Sequence, residues 1–128
     1  MATYVLDHLH LRSTDPEAAG DFYVRAFGAT LVERQHPGGK LRVVLDLAGT
    51  RLFIEAVPDG TAGPPAPPFR GLEHLGLTVD DLDAALADLA AKKIALATAP
   101  SSPRPGVRIA FVAAPDGAQV ELIERKAA

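Results

Sequence analysis

The 128-residue chain contains no cysteine, and aromatic residues make up only 5% of it. Without cysteine there is no disulfide bond, no thiolate nucleophile and no sulfur ligand, so any metal must be bound by imidazole and carboxylate groups. No apolar run approaches the roughly 18 residues that a membrane-spanning helix needs. The N-terminus also lacks a basic segment followed by an apolar stretch. We therefore expect a cytoplasmic protein with no membrane partner.

Basic residues are neither numerous nor clustered. The chain has 13 Lys and Arg against 16 Asp and Glu, which gives a net charge of −3. With few aromatic side chains to stack on bases as well, the composition argues against a nucleic-acid partner. A hydrophobic content of 48% and a charged content of 23% are typical of a globular protein, and this length suits a single domain.

The same order of predicted elements occurs twice along the chain. Residues 4–12 alternate as a strand, and a helix is predicted from Pro16, with Asp15 or Thr14 as its cap and Gly28 after its last turn. Three strands follow, at 29–35, 40–47 and 51–57. The second half repeats this order with a strand at 73–79, a helix at 80–92 and strands at 94–98, 107–112 and 118–124.

Two proline-rich segments interrupt the pattern. Residues 58–68 (PDGTAGPPAPP) contain five prolines and cannot continue a sheet, and residues 100–106 are predicted to form a loop. The sequence thus predicts an α+β fold of two βαβββ modules that build a cup-shaped, mostly antiparallel sheet. We expect a single domain 1–128, with module one at 1–57, a linker at 58–70 and module two at 71–128.

Polar residues recur in both halves at a constant offset of 66 residues. His8 corresponds to His74, and Glu55 corresponds to Glu121 (74 − 8 and 121 − 55). A single histidine in a strand is more often structural than a ligand. Here the same polar residues occur within predicted strands of both modules. We therefore predict that the four side chains meet at one site, related by pseudo-twofold symmetry.

The two strand glutamates are the less expected members of this set, because glutamate is depleted in strands. Alternation puts Glu55 on the face of Phe53, where a half-buried carboxylate is costly unless it is paired or bound to a cation. We predict one divalent metal per site, bound by His8, Glu55, His74 and Glu121. Two imidazoles and two carboxylates suit Ni, Co, Zn, Mn or Fe, and leave two positions for waters or for two neighbouring substrate oxygens.

Three segments resemble the vicinal-oxygen-chelate superfamily, which includes glyoxalase I, bleomycin-resistance proteins and extradiol dioxygenases. DHLHLRSTDPEAAGDFYVRAFGATLV resembles the opening of its first module, EHLGLTVDDLDAALADL the opening of the second, and APDGAQVELIE the closing strand pair. The position of Glu55 is Glu in glyoxalase I and Gln in methylmalonyl-CoA epimerase, but is not a ligand in the three-ligand dioxygenases and fosfomycin-resistance enzymes. On that pattern the sequence is similar to a short bacterial glyoxalase I.

The resemblance implies metal-assisted proton transfer next to a carbonyl, as in the isomerisation of a thiol hemithioacetal by glyoxalase I. Either Glu55 or Glu121 could be the catalytic base, and Glu121 matches the family's catalytic glutamate. In glyoxalase I, arginines four residues after the first ligand and, in some members, four before the second histidine hold the glutathione carboxylate. Arg12 and Arg70 occupy those positions.

Two further residues bear on the substrate. His10 shares the strand face of His8 and is predicted to contact the substrate or to support a ligand. Asp59 stands where the family has an asparagine, and its negative charge disfavours the glutamyl group of glutathione, which leaves the thiol open.

The sequence is also compatible with other functions. An epimerase-like isomerase would use the same four ligands, whereas a bleomycin-resistance-type binding protein generally lacks the metal ligands, all of which are present here. An extradiol dioxygenase needs three protein ligands on iron and usually a longer chain.

We expect a homodimer that binds a small molecule, because a lone module would leave a sheet edge and an apolar face exposed. The site lies within one chain or is shared between subunits.

Overall fold

The computed structural model describes residues 1–126, which form eight strands and two helices. The elements in chain order are β1 (His8–Ser13), α1 (Pro16–Phe27), β2 (Thr30–Gln35), β3 (Arg42–Leu47), β4 (Thr50–Ala56), β5 (Leu75–Thr78), α2 (Leu82–Ala91), β6 (Leu96–Arg104), β7 (Val107–Ala113) and β8 (Gln119–Arg125). This order confirms the predicted α+β fold of two βαβββ modules.

The chain divides into two compact units, residues 1–62 and the chain from Gly63 onward, each containing one module. The sheet of the first module has the strand order β1-β4-β3-β2, and that of the second β5-β8-β7-β6. The strand that opens each module pairs parallel with the last one, and the other pairs are antiparallel. Each sheet is thus mostly antiparallel, as predicted.

Helix α1 has the boundaries that its terminal residues predict. The Asp15 carboxylate accepts the N–H of Ala18 at 3.1 Å, and Pro16 occupies the first turn, where a missing N–H does no harm. Gly28 ends the helix in the left-handed region at a φ of 73°. At Gly20 an added Cβ would lie 3.1 Å from Val43 Cγ1, so glycine lets the helix approach β3 closely.

Helix α2 has two carboxylates at its N-terminus. Asp81 caps it by accepting the N–H of Ala84 at 3.1 Å. Glu124, on β8 and only 2% exposed, accepts the N–H of Leu82 at 2.8 Å. The N-terminus of a helix carries free N–H groups and a partial positive charge, which together stabilise a buried carboxylate there. Glu124 is therefore part of the structural core of the second module.

Each sheet has one face covered by the helix of its own module and a second that we call the helix-free face. The covered face of the first module carries Val43, Leu45, Leu52 and Ile54, all at most 3% exposed, against Tyr23 of α1. That of the second carries Ala110, Val112, Val120 and Leu122 with Leu82 and Leu89 of α2. Because strand side chains alternate, the polar residues of interest lie on the helix-free faces.

Two predicted boundaries were wrong. β1 begins at His8 rather than at residue 4, and Tyr4, Val5 and Leu6 are exposed outside the sheet. The predicted loop at 100–106 is a strand as far as Arg104, because β6 is an edge strand with three register irregularities. Prolines are tolerated in such a strand, where the missing N–H faces away from the neighbour.

Residues 57–74, which include the proline-rich segment, lie between β4 and β5 and form neither a helix nor a strand. Among residues 1–126, neither helix is long and apolar enough to cross a membrane.

Candidate metal site

His74 and Glu121 lie side by side on the helix-free face of the second module. Nε2 of His74 is 3.5 Å from Oε1 of Glu121, and both side chains are partly exposed. Two ligands at about 2.1 Å from a tetrahedral zinc ion are about 3.4 Å apart, so this separation fits binding of one cation by both atoms. Glu121 pairs across the sheet with Gly76, so no β5 side chain stands directly beside its carboxylate.

The imidazole of His74 is held from two sides. Its Nδ1 lies 3.1 Å from Oε1 of Glu73, and its ring packs edge-on against Phe111 at 5.0 Å between centroids. A carboxylate on the second ring nitrogen is the usual way in which proteins orient a metal-binding histidine. The contacts therefore direct Nε2 towards Glu121.

The structure does not bring His8 and Glu55 together. The β1–β4 register pairs His8 with Arg51, four residues before Glu55, which is roughly 13 Å along a strand. His8 instead contacts its neighbour Asp7 through Nδ1 at 2.6 Å. Its ring stacks on Phe53, with centroids 4.1 Å apart.

Glu55 is surrounded by arginines on the helix-free face of the first module. Its Oε2 accepts a hydrogen bond from Nη1 of Arg12 at 2.5 Å, and its Oε1 accepts one from Nε of Arg42 at 2.9 Å. Nη2 of Arg42 lies 2.8 Å from the same oxygen, and Nε2 of His10 is 3.8 Å away. The side chain of Glu55 is only 9% exposed.

These contacts set the charge of the group. The hydrogen bond from Arg42 holds the pKa of Glu55 below its usual value, and the charges of Arg12 and Arg42 act in the same direction. Burial lowers the pKa of His10, and the nearby Arg12 charge lowers it further. At neutral pH, Glu55 is therefore ionised and His10 is neutral.

The predicted site residues thus divide into those that the structure brings together and those that it does not. His74 joins Glu121, while His10 and Arg12 join Glu55. Arg70 is exposed in the segment between β4 and β5. In the described residues 1–126, no group of three or more His, Asp and Glu side chains is arranged to hold a metal.

Arg42 is the site residue that the sequence analysis missed. The available signal was its place in the predicted strand 40–47, which comes directly before the strand of Glu55 along the chain. Cross-strand neighbours of opposite charge on one face commonly pair. Alternation alone, however, left the register between the two strands open.

The two modules differ in strand register by two residues. Glu121 pairs with Gly76, two residues after His74, whereas Glu55 pairs with Arg12, four residues after His8. The residue opposite His10, two after His8, is Phe53. By position in the sheet, Phe53 is therefore the counterpart of Glu121.

The two histidines nevertheless occupy matching places. Each lies seven residues before the aspartate that caps its helix, Asp15 or Asp81. In each case the carboxylate of the preceding residue, Asp7 or Glu73, contacts Nδ1 of the histidine. The offset of 66 thus holds for the histidines in the structure, but not for the glutamates.

Comparison with known families matches residues 5–122 to the Glyoxalase/Bleomycin resistance protein/Dioxygenase superfamily. The chain belongs to this superfamily. The matched region spans both modules, which confirms the resemblance that the sequence motifs indicated. Superfamily membership also agrees with the order of elements in each unit.

Two bacterial relatives of comparable length are both described as uncharacterized. The uncharacterized protein YaeR from Escherichia coli (strain K12) is 30% identical over 121 residues, which are 92% of this chain and 94% of the relative. The uncharacterized protein YwkD from Bacillus subtilis (strain 168) is 28% identical and covers 94% of this chain and 96% of its own.

Solved structures share the superfamily fold. A glyoxalase family protein from Enterococcus faecalis superposes with a TM-score of 0.80 at 24% identity, covering 94% of this chain and 97% of its own. The fosfomycin resistance protein FosX from Listeria monocytogenes has a TM-score of 0.73 at 17% identity, with coverages of 95% and 92%. That FosX structure contains Mn(II) and a dihydroxypropylphosphonic acid.

Proposed function

We propose that this protein is a divalent-metal-dependent lyase or isomerase of the glyoxalase type. It would transfer a proton next to a carbonyl group on a small substrate with two neighbouring oxygens. The observation that carries the proposal is the His74–Glu121 pair, with Nε2 and Oε1 3.5 Å apart and Glu73 at the other ring nitrogen. Membership of a superfamily in which FosX was solved with Mn(II) supports it.

His74 and Glu121 would hold the metal, and His8 is the sequence-based candidate for an imidazole ligand from the first module. Imidazole and carboxylate donors suit Ni, Co, Zn, Mn and Fe, so the donor set does not single out one ion. When bound, such an ion acts as a Lewis acid on a coordinated carbonyl and makes the neighbouring C–H more acidic.

Glu121 is the proposed base. Its carboxylate would take the proton from one substrate carbon and return it to the next. The strand neighbour Gly76 has no side chain, and even an added Cβ there would stay 3.8 Å from Oε1 of Glu121. The carboxylate therefore has room to approach a substrate carbon.

The finer assignment to glyoxalase I was based on Glu55 as a fourth ligand, with Arg12 and Arg70 at the family's glutathione-binding positions as support and the thiol left open. The arginines at both Glu55 oxygens do not favour Glu55 as a ligand, and the acidic Asp59 does not favour glutathione. We therefore propose the reaction class and take a hemithioacetal of methylglyoxal as the first substrate to test. An epimerase-like isomerisation with the same base is the second candidate, and non-catalytic binding is the third.

The decisive experiment is metal analysis of the purified protein, followed by reconstitution with Ni, Co, Zn, Mn or Fe. Methylglyoxal with glutathione, or with another thiol, is then added, and thioester formation is followed by absorbance. We expect metal-dependent turnover that falls at least about a hundredfold in Glu121→Gln, the usual loss on removal of a general base. The exposed Asp21 on α1 supplies the control variant, Asp21→Asn.

Each other outcome has a defined meaning. Bound metal without thioester formation would direct the search to epimerase substrates, which proton exchange with deuterated water can detect without knowledge of the product. Equal metal content in the wild type and in His74→Ala would contradict the metal site itself.

A further inference from the structure

We propose that Glu55 is not a metal ligand but the anchor of an arginine pair, Arg12 and Arg42, which binds an oxyanion group of the substrate. The site lies on the helix-free face of the first module. The inference deepens the proposed function, on which it rests only in taking the anion to be part of the substrate. It replaces the sequence-based role of Glu55 and adds Arg42 to Arg12, whose contact with a substrate carboxylate the resemblance already implied.

The strand register is the first observation. In the second module, the residue beside Glu121 is Gly76, which leaves the carboxylate open towards His74. In the first module, the residue beside Glu55 is Arg12, and the place that corresponds to Glu121 is occupied by Phe53. By register within its own sheet, Phe53, and not Glu55, is therefore the first-module counterpart of Glu121.

The second observation is that both oxygens of Glu55 are already used. Arg12 donates to Oε2 and Arg42 to Oε1, in a side chain that is 9% exposed. These contacts place two guanidinium cations directly against the carboxylate. A divalent metal ion at the same oxygens would meet both positive charges at close range, which disfavours its binding there.

The third observation is that Arg42 is fixed along its whole guanidinium. Its Nε and Nη2 face Glu55, and its Nη1 donates to Oε1 of Gln35 at 3.1 Å. The group also lies over the ring of Phe53, 5.2 Å from the centroid. These contacts use three of the five N–H donors of a guanidinium, and the Arg42 side chain is 23% exposed, so two preorganised donors remain for a ligand at little cost in entropy.

The charges identify the ligand class. Arg12, Arg42 and Glu55 together carry a net charge of +1, and the side chain of Arg12 is 53% exposed. A guanidinium has five N–H donors, so donors remain on Arg12 after its bond to Glu55. Planar N–H forks match the oxygens of a carboxylate, phosphate or phosphonate. The site therefore fits one such group, next to the surface of Phe53 and His8.

The metal half of the test compares Glu55 with Glu121. We would measure Mn²⁺ binding by isothermal titration calorimetry for the wild type, Glu55→Gln, Glu121→Gln and Arg42→Gln, with thermal melts to verify folding. Loss of a ligand should weaken binding at least about tenfold, so we expect this for Glu121→Gln. Glu55→Gln and Arg42→Gln should stay within about threefold of the wild type, as expected for residues outside the ligand set.

These variants keep the inference falsifiable in two independent ways. If Glu55 binds the metal, Glu55→Gln must weaken Mn²⁺ binding as Glu121→Gln does, and Arg42→Gln must strengthen it by releasing the carboxylate. Should Glu55→Gln fold poorly, the Arg42→Gln result decides alone. If Glu121→Gln binds Mn²⁺ as the wild type does, the proposed function fails, and the arginine site is still judged by anion binding.

The anion half uses methylphosphonate and acetate as probes, with the side-chain Nε–Hε signals of arginine followed by NMR. We expect saturable shifts of Arg12 and Arg42 with at least one probe, and the tighter probe identifies phosphonate or carboxylate as the preferred group. Arg42→Gln should raise the dissociation constant at least about tenfold, and Arg42→Lys should recover only part of this, because lysine lacks the planar fork.

Arg51→Gln is the matched control for charge. Arg51 lies on the same face of β4 as Glu55, pairs with Asp46 at 3.1 Å and does not belong to the arginine pair. We expect the dissociation constant of the anion probe for Arg51→Gln to stay within about twofold of the value for the wild type, because Arg51 contributes only a general surface charge. The anion site at Arg12 and Arg42 would be overturned if Arg51→Gln weakened anion binding as much as Arg42→Gln does. It would also be overturned if neither probe gave a saturable shift.

Glu55 itself acts through the arginines, and its positioning role has its own readout. In Glu55→Gln, the Arg42 Nε–Hε signal should move and exchange faster with water, because the charged acceptor at 2.9 Å is gone. An unchanged signal in the folded variant would contradict the anchoring role.

Discussion

Three glutamates on the last strand of a module have three different surroundings. Glu124 faces the N-terminus of a helix, Glu121 faces His74, and Glu55 lies between two arginines. All three are glutamates on such a strand, although Glu124 lies on the face covered by its helix and the other two lie on helix-free faces. What differs is the neighbour on the adjacent element, and that neighbour decides whether the carboxylate stabilises the fold, orients other groups or stays free for chemistry.

At Glu55 we predict a characteristic response to acid. Its pKa is lowered in the folded state, chiefly by the hydrogen bond from Arg42, from a reference value of 4.5. The stabilisation is therefore complete above the unfolded value and is lost as pH falls through the folded one. In thermal melts, the advantage of the wild type over Glu55→Gln should shrink as the pH falls below about 4.5. A constant difference down to pH 3 would contradict this.

At Glu124 we predict a large loss of stability. Glu124→Ala leaves the buried N–H of Leu82 without its acceptor and removes a negative charge from a helix N-terminus. The free energy of unfolding in urea should fall by about 2–3 kcal/mol, the cost of an unsatisfied buried group with a lost charged bond. Asp21→Ala, at an exposed site on α1, should change it by less than about 0.5 kcal/mol. A comparable loss in both variants would argue against a specific role for Glu124.

At the scale of the element, the cap of α1 offers a matched pair of variants. Asp15→Ala removes the acceptor for the N–H of Ala18, and the free energy of unfolding should fall by about 1 kcal/mol. Asp15→Asn keeps an acceptor in the same place and should lose only a few tenths of a kcal/mol. Urea unfolding of the two variants measures the difference, and equal losses would mean that the charge, and not the hydrogen bond, is what matters.

Most elements could be predicted from local chemistry. Asp15, Pro16 and Gly28 determine where α1 begins and ends, since each satisfies or removes a specific backbone requirement. β6 was partly missed because proline content indicates a loop, whereas the position of a strand at the edge of a sheet is decided by the whole fold.

The candidate site was predictable only in part, for a related reason. Alternation put His10 on the face of His8 and Glu55 on the face of Phe53, because a strand has a period of two residues. It does not show which residue of the next strand stands opposite, so the pairing of Glu55 with Arg12 and Arg42 appeared only in the structure. His74 and Glu121 do lie close together, with Nε2 3.5 Å from Oε1, and their role as metal ligands stays a prediction.

At the scale of the whole molecule, a metal that binds only the folded protein must raise its melting temperature. At a free concentration of about a hundred times the dissociation constant, the stabilisation is about 2.7 kcal/mol. For a chain of this size we expect a shift of roughly 5–10 °C, measured by differential scanning calorimetry with Mn²⁺ against EDTA. The shift should disappear in Glu121→Gln. An equal shift in that variant would indicate that the metal binds elsewhere.

The homodimer stays a prediction at the same scale. Light scattering behind size exclusion should give about twice the monomer mass of 13.4 kDa. A monomer at micromolar concentration would remove the possibility that subunits share a site.

The two-residue difference in register has a consequence for duplicated proteins in general. Because side chains of a strand return to the same face after two positions, a strand can slide by one such step while its apolar side chains keep facing the core. One copy of a repeat can then exchange an open acid beside glycine for one neutralised by arginine, with every ancestral acid and imidazole still in place. A comparison of residue types alone would predict the same function for both copies. The residues on the adjacent strands show that the surroundings of the two acids differ.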